Sequence, residues 1–134
     1  MRRRATQHFS NRPLTGYRLS MRLQPDLIRA LLLDTEGEEK PDLSGWSEDQ
    51  LVYHSGKLIE AGLLEGAVAH DESGKIISTM ATDLSWQGHE FLANLRNEKL
   101  WPQVQEQVKK AGGSVSLEIL VALGTELARR AVGL

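Results

Sequence analysis

The sequence predicts an α+β fold: helices around one two-stranded β-hairpin, with a helical extension at the C-terminus. Three observations predict it. Apolar residues recur at helical spacing in several segments and alternate at strand spacing in two neighbouring ones. The stretch LIEAGLLEG, Leu58 to Gly66, sets a glycine behind a helical pattern and two leucines directly behind that glycine, as where a helix stops and a strand starts at once. After the hairpin, further helical patterns are separated by serine caps, a proline and the pair Gly112-Gly113.

Pro25 to Asp34 reads as the first helix. Proline suits the first helical position, where its missing N–H costs nothing. Leu27, Ile28, Leu31 and Leu32 form one stripe, with Asp26, Arg29 and Asp34 outside it. The segment TEGEEKPDLSG that follows is acidic and rich in turn residues, so it is a loop. Ser47 and Gln50 make a capping box for the second helix, and Trp46 is placed to staple onto Leu51. Leu51, Leu58 and Ile59, with Val52 beside them, form its buried face. Gly62 is expected in the left-handed conformation, with Leu63 folding back on Leu58 in a Schellman ending.

Leu64 to Ala69 and Ile76 to Thr82 read as two strands joined by HDESGK, with Gly74 in the turn. Alternation assigns Ile76, Ser78 and Met80 to one face, and Ile77, Thr79 and Ala81 to the other. Ser85 caps a third helix, Trp86 to Asn97, with Phe91, Leu92 and Leu95 inward. Pro102 opens a fourth, which carries Val104 and Val108 and closes at Gly112 and Gly113. Ser114 is expected to cap the last helix. Leu117, Leu120, Val121, Gly124, Leu127, Ala128 and Ala131 share one side of it, and Ile119, Leu123 and Val132 widen that stripe.

A helix that ends in Gly-Leu-Leu and runs into a two-stranded hairpin is the core of a winged helix. LSWQGHEFL, Leu84 to Leu92, resembles the LTxxG segment that follows the wing in many winged-helix proteins. The blocks PDLIRALLLDTE, YHSGKLIEAGLLEG, LSWQGHEFLANLRNEKLW and KKAGGSVSLEIL together resemble the uncharacterised bacterial and phage family called domain of unknown function 2513. That resemblance runs from about Met21 to the C-terminus. It implies a winged-helix fold, kinship with YjcQ-like winged-helix proteins and a mobile-element setting. It implies no activity and no catalytic residues. Three regions follow: residues 1–20, a basic arm expected to be disordered; residues 21–98, a winged-helix-like core; and residues 99–134, a helical extension packed on the same core.

Composition bounds the function. A chain of 134 residues fits one small domain and can bury a core without cross-links. Cysteine is absent, which excludes disulfides, thiolate zinc sites and cysteine nucleophiles and fits a cytoplasmic setting. No apolar run is long enough to cross a membrane, and the N-terminus has no secretory h-region. The net charge of −2 hides an asymmetry. Arg2, Arg3, Arg4, Arg12 and Arg18 lie in residues 1–20, where there is no acid. That leaves 11 of the 16 basic side chains against all 18 acids, a net of −7 from Met21 onward. Two readings of the arm stand side by side. It grips phosphates, or the natural chain starts at Met21.

Motifs for catalysis are missing. There is no G-x-S-x-G elbow, no phosphate-loop lysine by Gly112-Gly113 and no HExxH. Ser47, Ser85 and Ser114 are accounted for as caps. Asp34, Glu36, Glu38 and Glu39 lack calcium-loop spacing. The histidines are His8, His54, His70 and His89; His54 and His89 either share a metal or proton site or are core imidazoles. The expectation is a non-enzyme with no cofactor and no metal.

The second helix stands where a winged helix reads DNA. Its polar residues are Glu48, Asp49, Gln50, Tyr53, Ser55, Lys57 and Glu60, three acids against one base. Acids facing phosphates oppose binding, and only Gln50 could read an adenine edge. Candidate nucleic-acid contacts are Arg2, Arg3, Arg4, Arg12, Arg18, Lys57 and Lys75, with Lys109 and Lys110 as a small basic spot. Ile119, Leu123 and Val132 are the candidate partner surface, with Gly124 allowing close approach in a homodimer. Two functions follow. One is an accessory protein of phage, prophage or defence loci that binds an unidentified protein partner. The other is a DNA-binding transcriptional regulator. Neither involves a membrane.

Overall fold

The computed structural model describes residues 6–10 and 22–134. The order is β1 (Gln7–Ser10), α1 (Pro25–Glu36), α2 (Glu48–Glu60), β2 (Leu64–His70), β3 (Ile76–Leu84), α3 (Trp86–Arg96), α4 (Leu100–Lys110) and α5 (Leu117–Ala131). The fold is α+β. Among the described residues it has five helices and one three-stranded antiparallel sheet in the order β1-β3-β2. α2 lies against the sheet, and α1 touches the sheet, α2 and α3. α4 and α5 pack on each other and on α3. Leucines from α1, α2, α3 and β2 meet Val104 and Val108 of α4 and Leu120 and Leu127 of α5 in one core.

α1 runs two residues beyond Asp34. Thr35 is buried with its hydroxyl donating to the Leu31 carbonyl at 2.8 Å, and Glu36 pairs with Arg96, so both have a reason to stay helical. Gly37 then closes the helix with a left-handed φ of 89°. In α2 the capping box forms as the sequence predicts. Gln50 N–H donates to Ser47 Oγ at 3.1 Å, and Ser47 N–H donates to Gln50 Oε1 at 2.9 Å.

The ending of α2 follows the Schellman pattern. Gly62 has φ 77° and donates to the Ile59 carbonyl, while Leu63 N–H reaches the Leu58 carbonyl, both at 3.0 Å. The start of α3 then clasps this ending. Ser85 N–H donates to the Leu63 carbonyl at 3.1 Å, its hydroxyl donates to the Gly62 carbonyl, and the same hydroxyl caps Gly88 N–H at 3.0 Å. A Cβ at Gly88 would stand 1.9 Å from the Leu63 oxygen, so only glycine lets the two ends approach. Gly62 of LIEAGLLEG and Gly88 of LSWQGHEFL therefore serve one junction.

The sheet corrects two expectations. The hairpin is joined by a third strand: Gln7–Ser10 pairs antiparallel with β3, from Gln7 opposite Ala81 to Ser10 opposite Ser78. These four residues were expected to belong to a disordered arm; the rest of residues 1–20, apart from exposed Thr6, lies outside the described residues. The strand holds because its inward Gln7 is satisfied. Gln7 Nε2 donates to Asp34 Oδ2 at 2.8 Å, and its Oε1 accepts from the Ser55 hydroxyl at 3.3 Å. Secondly, strict alternation fails in β3. The register with β2 shifts between Ala69 and His70 and between Glu65 and Gly66, so Ile76, Thr79, Ala81 and Leu84 are all buried.

α4 starts at Leu100 rather than Pro102, because the Asn97 carboxamide oxygen accepts the N–H groups of Lys99 and Leu100. The cap of α5 is Ser116, whose hydroxyl accepts from Ile119 N–H at 3.2 Å. Ser114, the expected cap, donates instead to the Leu23 carbonyl and fastens the start of α5 to the approach to α1.

Candidate functional site

Two surfaces carry most of the candidate residues that fall within the described chain, the outward side of α2 with the hairpin and the outer side of α5. On α2, Glu48 and Glu60 are exposed, and Asp49, Tyr53 and Lys57 are half-buried. Ser55 corrects the sequence reading. It faces inward, fully buried, and bonds Gln7. Gln50, the one side chain suited to an adenine edge, has its oxygen taken by the capping box.

The single base of α2 is committed within the chain. Lys57 Nζ lies 3.5 Å from Glu60 Oε2 and 5.4 Å from the centre of the Tyr53 ring. Glu60 in turn meets His70 Nε2 at 3.0 Å, across to β2. The His70 hydrogen bond and, after it, the charge of Lys57 hold the Glu60 carboxyl below the usual carboxylate range. The cluster sets a carboxylate beside the one lysine of the helix, which weakens what Lys57 offers to a phosphate. At the hairpin tip Lys75 is exposed. Its backbone N–H belongs to a turn built on Asp71, whose carboxylate also accepts from Ser73 N–H and the Ser73 hydroxyl. The Ser73 hydroxyl first, then the Lys75 N–H, hold that carboxyl low.

Other bases are used structurally. Arg29 donates from Nε to the Leu95 carbonyl at 2.9 Å and lies over the Trp101 ring at 5.3 Å. Arg96 bonds Glu36, and that bond, reinforced by the charges of the acidic loop, raises the guanidinium pKa further. Lys110 stands 3.9 Å from Glu106, which dilutes the basic spot expected with Lys109. Arg2, Arg3, Arg4, Arg12 and Arg18 lie outside the described residues.

His54 and His89 do not form a shared site. His54 is fully buried, with Nε2 accepting from Gln24 N–H and Nδ1 against the Gln50 carbonyl, both at 2.8 Å. His89 is exposed on α3, 4.0 Å from Asp83. Both ring nitrogens of His54 are spent on backbone groups, so it has no lone pair for a metal. Among the described residues no cluster of three His, Asp or Glu side chains could hold a metal ion.

On α5 the expected partner surface divides. Leu123 is half-buried against the core, while Ile119 is 56% exposed and Val132 70% exposed. Leu134 is also exposed, at 82%. Gly124 is not free to seat a second copy, because it packs on Asn94 and Phe91 of α3. Trp86, at the first turn of α3, is 75% exposed and is a second large apolar group on the surface. The sequence reading missed Gln7, Arg29 and Arg96 as organising residues. For Gln7 a signal existed: Phe9, two residues on, points to the same side, so Gln-His-Phe-Ser alternates.

No helix among the described residues is long and apolar enough to cross a membrane. The family described as "Hypothetical protein (DUF2513)" matches residues 22–114. A Haemophilus influenzae protein called "Uncharacterized protein" is 32% identical over 102 residues, which cover 71% of this chain and 85% of that relative. No solved structure matches the chain.

Proposed function

Since the chain belongs to the DUF2513 family, whose description names no activity, we propose from the geometry that it is a non-enzymatic protein that binds a protein partner. In this reading a winged-helix-like core presents the partner surface, in the setting of a phage, prophage or defence locus. The winged-helix part is supported by three features. α2 runs into the hairpin through the Gly62 ending, it packs against that hairpin, and β3 is the central strand. The single observation that carries the partner reading is the charge state of α2. Three acids and one self-paired base stand where a DNA reader needs cations. The connection weighs the same way. Residues 37–47 separate α1 from α2 and hold no helix, whereas a DNA-binding helix-turn-helix is joined by a turn of about 3–4 residues. The exposed apolar side chains Ile119 and Val132, at the two ends of α5, are the groups assigned to the partner.

DNA binding is the second reading, favoured by one observation. β1 is stitched into the sheet, and Arg4 and Arg12 stand within three residues of it in the sequence. Removing residues 1–20 would delete a strand, so the test substitutes in place. Duplex of random sequence is titrated at two salt concentrations with the full chain and with Arg2, Arg3, Arg4, Arg12 and Arg18 all changed to Gln. Weak binding by both proteins supports the partner reading. Tight, salt-sensitive binding that the five substitutions abolish would replace it with the DNA reading.

A further inference from the structure

Among the described residues His54 is the ionisable side chain in the core. Its two ring nitrogens meet backbone groups from two different elements. The amide of Gln24 can only donate, so Nε2, 2.8 Å away, must present a lone pair. The Gln50 carbonyl can only accept, so Nδ1, also at 2.8 Å, must carry the proton. The partners together specify a neutral imidazole and its tautomer.

The position of these partners matters. Gln24 is the N-cap residue of α1, its side chain makes no capping bond, and its carbonyl accepts the Ile28 N–H at 3.0 Å. The next residue of α2, Ser55, is also fully buried and bonds Gln7 of β1. Adjacent positions of one helix therefore hold β1 and the start of α1. The ring faces the Gln24 amide from the approach to α1, and from α2 the Gln50 carbonyl and the edge of the Tyr53 ring, with centroids 5.7 Å apart. No side-chain charge stabilises its protonated form.

We infer that His54 is an acid-sensitive latch: once protonated, Nε2 becomes a donor facing another donor, and the start of α1 parts from α2 while the rest of the core stays folded. Burial pushes the imidazole below its ordinary value of 6.5, with the Gln50 carbonyl opposing in part. The folded-state value is thus lower than the unfolded one. The latch is fully held above about pH 6.5, weakens as the pH falls below it, and is lost through the lower folded-state value.

The test uses the full chain labelled with ¹⁵N and followed by NMR from about pH 7.5 to about 4.5. At neutral pH the ring nitrogens should report the Nδ1–H tautomer, and the titration midpoint should lie below 6.5. Over the window below that value the hydrogen-exchange protection factor of the Gln24 amide should fall, by up to about tenfold per pH unit. Those of Val104 and Val108 in α4 should hold. In His54→Gln the side-chain oxygen can accept from Gln24 without titrating, so Gln24 protection should stay flat with pH. An Nε2–H tautomer, a midpoint at or above 6.5, or loss of Gln24 protection in step with Val104 would each overturn the latch. These three readouts come from the unsubstituted protein and decide the matter even if His54→Gln does not fold.

Discussion

The side of the molecule built from α2 and the hairpin and the side built from α5 are finished in opposite ways. On the first, Gln50, Lys57 and Glu60 are bonded within the chain, and the end of α2 is clasped by the start of α3. On the second, Gly124 and Leu120 are sealed against the core, yet Ile119 and Val132 remain in solvent. In the proposed winged-helix reading, α2 holds the position for recognition. By the apolar side chains left exposed, α5 is the element the proposed partner reading favours. A surface for a partner is better read from groups the fold leaves uncovered than from the place an element occupies.

Substitutions can break this contrast, and their expected effects fall in order. Leu63→Ala removes a buried side chain beneath the clasp and should cost about 2–5 kcal/mol in chemical denaturation. Gly88→Ala puts a methyl group against the Leu63 carbonyl and should cost about 1–3 kcal/mol, because the backbones must move apart. Gly62→Ala leaves space for the methyl but strains a left-handed backbone, so about 1 kcal/mol is expected from its thermal melt. Ile119→Ser should change stability by less than about 0.5 kcal/mol, since the side chain is half in solvent already. If Ile119→Ser instead melts like Leu63→Ala, α5 is a core element on both sides and the contrast is wrong.

How much the sequence disclosed depended on how local the cause was. The capping box at Ser47 and Gln50 and the glycine stop at Gly62 are decided within a few residues, and both appear as expected. The exchange of Ser114 for Ser116 was not legible, because either serine is followed three residues later by an apolar residue. The choice rests on the distant Leu23 carbonyl that takes the Ser114 hydroxyl. β1, despite the alternation of Gln-His-Phe-Ser, was only half legible for a similar reason. Its inward glutamine breaks the apolar pattern, and the groups that satisfy it, Asp34 and Ser55, lie far along the chain. The committed state of Lys57 likewise depends on His70 holding Glu60 from another element. On α5 the apolar stripe was visible, but only packing could divide it into Gly124 inside and Ile119 outside.

The clasp between Leu63 and Ser85 also bears on how the hairpin can change. Both feet of the hairpin are fixed to each other by the Ser85–Leu63 hydrogen bond, and its tip is an independent turn organised by the Asp71 carboxylate. Length can therefore be added between Asp71 and Lys75 without altering the distance between the feet, and each doubling of a flexible loop costs only about 0.6 kcal/mol. This makes the tip a natural point for grafting: a reporter peptide or affinity tag placed among the exposed residues Asp71 to Lys75 would sit apart from α5 in the chain, with Ile76 as the first buried residue beyond it.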